Sequence, residues 1–332
     1  MNMRKHIFKT IIAAGLWAVT LTSCEKDEYK VPDPVSALSN DCIKRTLGPN
    51  IASLPIEFVY AMAIPKSKGK LAFAEVTASI PGAAGTFLEH RSFYTNSSGV
   101  DVPVTVGTPS VTNGATTKMN FTVDTSAASL RYYYIVPNEA RGQKVKFTFS
   151  VTASDGTTAY YEMGPYDVSK MEIKRNIAVS NNNMAFLSIA DMTSYNATSA
   201  ASNAAKIDLV YLYRTTPTTF THGLVAPGAD AALYLPGVTL PSGVNNATKV
   251  IKVFSLQDRN LAQMQFGIYV DDIDMQKVDF NNAPLHAVGL RAENGVWVET
   301  ADKKYRAYVF INSVNANGSA VVSMLRYDMT AK

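Results

Sequence analysis

Hydrophobic and polar positions alternate with a period of two through much of the first half of the chain. The longest run sets Val145, Phe147, Phe149, Val151 and Ala153 against Lys146, Thr148, Ser150 and Thr152. Such a strand buries one face and wets the other. Asp155-Gly156 follows, a pair that tolerates positive φ in a hairpin, and the chain returns through Thr157 to Met163. A two-residue turn there pairs Tyr161 with Ser150 on the wet face. Met119, Phe121 and Val123 alternate, as do Val102, Val104 and Val106. In the run Leu130, Tyr132, Tyr134 and Val136 the tyrosines point inward, so Tyr133 shares the outer face with Arg131 and Ile135. Short strands at this spacing, separated by Gly, Pro and Asn, predict a β-sandwich over residues 51–178.

The pattern weakens after Ser169, and Ser180-Asn181-Asn182-Asn183 is a polar, turn-forming stretch that predicts a domain boundary. The second domain, residues 184–332, opens with a strand at Met184 to Ile189. Ala197, Ala200, Ala201, Ala204 and Ala205 then fall on one stripe of a short helix near 197–206. Ile207 to Tyr213 is a nearly continuous apolar run suited to a central strand, and further strands are expected at 248–256 and 264–270. Residues 286–292 and 296–300 flank Asn294-Gly295, a hairpin signal that pairs Ala292 with Trp297 and puts Trp297 on an apolar face. Residues 304–314 and 319–327 flank Asn317-Gly318 in the same way. The expected class is mainly β: two β-sandwich-like domains, the second an antiparallel sandwich or meander with one short Ala-rich helix.

Charge and composition change this picture at the N-terminus. The chain carries 31 Lys and Arg against 27 Asp and Glu. Arg4, Lys5 and Lys9 precede an apolar stretch, Ile11 to Val19, with no acid among the first 23 residues, so the remainder is close to neutral. A near-neutral body argues against nucleic acid as a partner, because phosphate binding needs a basic face. The n-region and short apolar core form a secretory signal peptide over residues 1–23, too short for the ~20 residues that span a bilayer. Leu21-Thr22-Ser23-Cys24 closes it and resembles the bacterial lipobox, which implies acylation of the Cys24 thiol. Two acyl chains hold a protein firmly on a membrane where one does not, at ~0.8 kcal/mol per buried CH₂. Glu25-Lys26-Asp27-Glu28 resembles the surface-export signal of Bacteroidota lipoproteins; acids beside the anchor mark inner-membrane retention in some other bacteria. Pro32 and Pro34 favour an extended tether within residues 24–50.

The body offers little catalytic chemistry. Its histidines are His90, His222 and His286, and no nucleophile elbow, zinc motif or phosphate-binding glycine loop is present. Neither catalysis nor a cofactor is expected. Cys42 reads as a small apolar core residue. Asp271, Asp272 and Asp274 form the densest acid cluster, with Asp272 and Asp274 on one side of an extended strand, but the glycine and terminal Glu of a calcium loop are missing. Paired carboxylates cleave glycosidic bonds only at set separations, and the sequence places no such pair. Tyr133, Tyr161 and Trp297 are the candidate aromatic platforms for a ligand, with the amides of Asn181–Asn183, Asn245-Asn246 and Asn281-Asn282 as candidate hydrogen-bonding partners.

The lipobox, the Cys24 to Glu28 pattern, the tether and two β-rich domains together resemble Bacteroidota outer-membrane lipoproteins of polysaccharide-utilisation systems. The likeness is to glycan-binding accessory proteins, SusE/SusF-like among them, that work beside a SusC/SusD transporter pair. Val76-Thr77-Ala78-Ser79-Ile80-Pro81-Gly82, Leu130-Arg131-Tyr132-Tyr133-Tyr134, Met163-Gly164-Pro165-Tyr166 and Ala204 to Tyr213 look like a two-domain family whose first domain is immunoglobulin-like. The resemblance implies a cell-surface protein that binds polysaccharide or oligosaccharide and is anchored to outer-membrane lipid. It carries over no contact residue. A structural or adhesive surface protein is the alternative.

Overall fold

The computed structural model describes residues 36–181, 183–253 and 268–330. Cys24 to Glu28 and most of the expected strand at 264–270 lie outside the described residues. The first sandwich uses β1 (Ser39–Lys44), β2 (Pro55–Ala63), β3 (Leu71–Ala78), β4 (Phe87–Leu88), β5 (Arg91–Thr95) and β6 (Asp101–Thr105). It continues with β7 (Val111–Asn113), β8 (Thr116–Asn120), β9 (Ala127–Ile135), β10 (Lys144–Ala153) and β11 (Thr158–Asp167). One sheet runs β1-β2-β9-β4 and the other β11-β10-β3-β8-β7, with β5 and β6 as a separate ribbon. All these strand pairs are antiparallel.

Alternation along β2, β9 and β10 turns Phe58, Tyr132, Tyr134, Phe147 and Phe149 into one core. Phe58 meets Phe147 edge-on at 4.8 Å, and Tyr134 meets Phe147 at 4.9 Å; such pairs add ~0.5–1.5 kcal/mol beyond area burial. The buried phenols are partnered: Tyr134 donates to the Ile80 carbonyl at 3.0 Å, and Asn40 donates to the Tyr60 hydroxyl at 2.8 Å. Residues 39–44, read as tether, form β1 because Cys42 turns inward opposite Tyr60.

The hairpin between β10 and β11 differs from its expected form. Its loop has three residues, Ser154 to Gly156: Ala153 and Thr157 close it, and Gly156 adopts φ +84°. This is a turn with a glycine bulge. One extra residue shifts the register, so Phe149 faces Tyr161 and Ser150 faces Tyr160. A one-residue slip exchanges the two faces of a strand. Tyr161 therefore packs against the core, and Tyr160 is exposed.

The second sandwich comprises β12 (Glu172–Ser180), β13 (Phe186–Ser188), β14 (Thr193–Tyr195), β15 (Leu209–Tyr213) and β16 (His222–Val225). It is completed by β17 (Lys249–Val253), β18 (His286–Leu290), β19 (Gly295–Glu299), β20 (Tyr305–Asn315) and β21 (Ser319–Asp328). Its sheets are β12-β21-β20-β19-β17 and β14-β13-β15-β16-β18. Because β12 pairs with β21, the passage between sandwiches falls ahead of the Ser180–Asn183 stretch, which is an internal turn. Asn317-Gly318 does close a hairpin between β20 and β21. Asn294-Gly295 does not: β18 and β19 lie in different sheets, and the chain crosses between them with Glu293 at φ +68°. Leu209, Tyr211 and Leu224 of one sheet pack on Val296, Val298, Val309 and Val322 of the other.

The short helices cover the outer faces. Helix α1 (Ala197–Ser202) is capped by Asn196 and gives way to a 3₁₀ turn at Ala204–Lys206, so of the alanine stripe only Ala200 is buried and Ala204 packs partly. Helix α2 is Ala231–Tyr234, and α3 is Asp272–Lys277. Trp297 lies under α3 with Tyr308, Phe310 and Met275; Ile51 joins this cluster from the loop between β1 and β2, and Met171 from the passage between the sandwiches. Asp272 accepts hydrogen bonds from the Ser169 hydroxyl and, at 2.9 Å, from the Lys170 N–H. Glu172 pairs with Arg141 of the first sandwich and Arg326 of the second. Asp272 and Glu172 thus hold the short connection from both sides.

Candidate functional site

Of the three aromatic candidates, one stands on an accessible face. Tyr133 on β9 lies between Glu57 of β2 and Phe87 of β4 in the ladder. Its ring stacks on Phe87 at 4.8 Å with 16° between planes. Phe87, at the sheet edge, is 40% exposed. Glu57 accepts from Arg45 at 2.7 Å, and Arg131 lies over the Phe93 ring at 4.0 Å while pairing with Asp101. Burial raises the Tyr133 phenol above its ordinary value, and the Glu57 charge adds to this while Arg131 opposes it. The result is a patch of rings flanked by both signs of charge. Phe87 was not legible in the sequence, because β4 is too short to show alternation.

The other two aromatics are placed elsewhere. Tyr161 turns inward by the register shift, with Asp41 as a hydrogen-bond partner of its hydroxyl. Trp297 is 8% exposed and tilts against Tyr308 at 4.8 Å; it is a core residue because β19 joins β17 and β20 in the middle of a sheet. The acid cluster is also re-assigned. Asp271 is the N-cap of α3, accepting from the Ile273 and Asp274 N–H groups at 2.8 and 2.9 Å, and Asp274 accepts from the Asp271 N–H at 3.0 Å. This is a capping box on a helix, so Asp272 and Asp274 do not share one side of an extended strand. Among the described residues no group of three or more His, Cys, Asp or Glu is arranged to hold a metal ion. Cys42 is a buried thiol pushed up to about 12 by burial and the nearby Asp41 charge. His222 shares a 2.7 Å hydrogen bond with the Tyr211 hydroxyl inside the second sandwich, and His286 stacks on Tyr234. His90 lies 3.2 Å from Glu89, which also takes Arg91.

A cleft of about 470 Å³ opens at one end of the second sandwich, where loops of both sheets converge. Asp191, Lys206, Asp208, Asn246, Asp302 and Tyr305 line it. Asp208 forms its floor at 4% exposure. Burial raises its carboxyl to about 7, and the Asp302 and Asp191 charges reinforce the shift against hydrogen bonds from Ile189 N–H and Thr248. Asp191 is also pushed up by burial, but Tyr195 and Lys206, at 2.8 and 3.1 Å, bring it net below its ordinary value. At Asp302 burial is likewise outweighed, here by Thr300 and the Lys304 N–H at 2.7 and 3.0 Å. These residues are scattered along the chain. The one signal available was Asp208 itself, a carboxylate inside the apolar run Ile207 to Tyr213, where an unpaired charge is costly.

Two family profiles match the chain. Residues 35–168 match a domain of unknown function, DUF4466, and residues 169–329 match another, DUF8576. Their junction coincides with the passage between the sandwiches. The chain is similar to a crystal structure of a DUF4466 family protein from Parabacteroides merdae, at 48% identity and a TM-score of 0.84, covering 89% of this chain and 100% of that one. Two looser similarities involve surface fibres. The major subunit of Myf fimbriae from Yersinia enterocolitica, solved with galactose, is 10% identical, with a TM-score of 0.23 and coverage of 40% of this chain and 98% of that chain. The major pilin BcpA of Bacillus cereus is 12% identical, with a TM-score of 0.27 and 44% coverage of each chain. Superpositions that loose fix neither fold nor function. No match is found among curated proteins. The 48% identity across the full length of the Parabacteroides protein establishes that this chain belongs to the DUF4466 family.

Proposed function

We propose that this protein is a non-catalytic cell-surface lipoprotein, acylated at Cys24 and exported under the Glu25 to Glu28 signal, that binds glycan and supports polysaccharide capture by an outer-membrane transporter of the SusC/SusD type. One observation carries the binding reading: Phe87, Tyr133, Glu57 and Arg45 stand side by side on an accessible sheet face. Sugar rings present an apolar face that stacks on aromatics and a rim of hydroxyls that charged side chains read. The sequence pattern at Cys24 supports the anchor, and no helix among the described residues is long and apolar enough to cross a membrane.

Affinity gels with embedded polysaccharides, run on the mature chain and on Phe87→Ala and Tyr133→Ala, test the binding. Retardation by at least one polysaccharide, weakened about tenfold or more in both variants, is expected. No retardation across a broad panel refutes it. Metabolic labelling with an alkyne fatty acid should tag the wild type and spare Cys24→Ala. The alternative, a structural or adhesive surface protein, is favoured by β11, a ten-residue edge strand on which Tyr160 is 69% exposed. Pro165 blunts that edge by removing a backbone donor.

A further inference from the structure

The end cleft of the second sandwich lies apart from the sheet-face patch and has a different character. We infer that it is a second binding site, one that takes a neutral polyhydroxylated ligand such as a single saccharide residue or the end of a short saccharide. Charge balance selects this class. Lys206 and Lys304 oppose an organic cation, and the ionised Asp191 and Asp302 oppose an anion. Hydroxyl groups both donate and accept, so they suit a wall that mixes carboxylates, ammonium groups and an amide.

The individual groups fit such a ligand. Both hydrogens of the Asn246 amide are committed, to the carbonyls of Ala205 at 3.0 Å and Ile207 at 2.8 Å, which leaves its oxygen to accept. Asp208 Oδ2 accepts from the Ile189 N–H at 2.8 Å, whereas Oδ1 has Thr248 Oγ1 at 3.4 Å, near the outer limit of a hydrogen bond. A buried carboxyl oxygen held that weakly has capacity for a hydroxyl entering the cleft. Burial keeps this carboxyl protonated up to neutral pH, so it can also donate. Tyr305 supplies a ring that holds two cations near it, the Arg326 guanidinium at 4.9 Å and the Lys304 ammonium at 5.1 Å. Arg326 is itself anchored by the Ala190 carbonyl and Glu172.

The site is tested by calorimetry and by chemical-shift mapping of the mature chain. The probes are glucose, galactose, mannose, N-acetylglucosamine, maltose, cellobiose and lactose, with glucuronate and glucosamine as charged counterparts. At least one neutral sugar should shift resonances of the cleft, and the charged forms should bind more weakly. Lys304→Ala, an exposed change with little structural consequence, and Asp191→Asn should each weaken that binding about tenfold. The double variant Phe87→Ala/Tyr133→Ala should leave it unchanged, even if that variant no longer binds polysaccharide in gels. Three results overturn the inference: no neutral probe perturbs the cleft, the charged sugars bind better, or binding survives Lys304→Ala and Asp191→Asn while vanishing in the double variant.

Discussion

Replacing Asp208 with asparagine removes a buried ionisable group while keeping its shape, and the consequence can be worked out from the fold. The carboxyl has an ordinary value of 3.8, raised by burial to about 7 in the folded chain. The folded state therefore binds a proton that the unfolded state releases between those values. Where the native form holds more protons, stability falls as pH rises. The protonated carboxyl's stabilisation is thus complete below about pH 4, declines from there to neutrality, and is absent above it. Three units at ~1.36 kcal/mol each give about 4 kcal/mol of order-of-magnitude loss. The amide that replaces the carboxyl cannot ionise and keeps an oxygen for the Ile189 N–H. Asp208→Asn should match the wild type near pH 4 and exceed it by as much as ~4 kcal/mol at pH 8. At roughly 2 °C per kcal/mol for a chain of this size, the Tm should rise by about 8 °C. Guanidinium unfolding followed by Trp297 fluorescence reports on the same sandwich, since this residue lies in its packed layers. A variant no more stable than wild type at pH 8, or one whose advantage is equal at both pH values, refutes the reasoning.

Two further outcomes follow from the geometry. Cys42, buried and with its thiol pushed up to about 12, should resist iodoacetamide at pH 8 in the folded chain and react once denaturant is added, because the thiolate is the reactive form; mass spectrometry showing rapid labelling of the native protein would contradict the burial. Asp272→Ala removes the acceptor of the Ser169 hydroxyl and Lys170 N–H and an acid from the first turn of α3, so it should cost about 1–3 kcal/mol. Limited proteolysis should then cut near residues 168–171 faster than in the wild type, with both sandwiches surviving as fragments.

The parts of this molecule that could be read from the sequence are those governed by local alternation. Tyr132 and Tyr134 inward with Tyr133 outward follows from a period of two, and β9 is arranged that way. What alternation alone does not convey is the offset between neighbouring strands. Asp155-Gly156 marked the hairpin, but a bulge of one residue at Gly156 moved Tyr161 into the core and left Tyr160 in water. Asn294-Gly295 has the same local chemistry and serves a different purpose, because turn residues specify the bend and not the sheet in which the next strand will pair. The expected pairing of Trp297 with Ala292 failed for that reason. The acids at 271–274 form a cap, and the spacing of Asp271 and Asp274 carries that information once the following residues are taken as helical.

The end cleft was hidden for a different reason. Its members come from the segments after β13, before β15, before β17 and between β19 and β20, so their convergence is a property of the sandwich and not of any window of the chain. Sheets bring distant loops together at their ends, where the backbone no longer constrains side-chain chemistry through ladder pairing. The same logic explains why only Tyr133 of the sheet-face patch was visible: it sits in a long alternating strand, whereas Phe87 comes from a two-residue strand. The patch on β2 and β9 rests on the aromatic core beneath it. A cleft built from loops must obtain its rigidity from specific bonds, and here the Asp191–Lys206, Asp302–Thr300 and Arg326–Glu172 contacts supply them. If both sites bind sugar, removing these bonds should loosen the cleft while leaving the patch intact, so the two activities should separate under mutation even though both sandwiches belong to one compact unit.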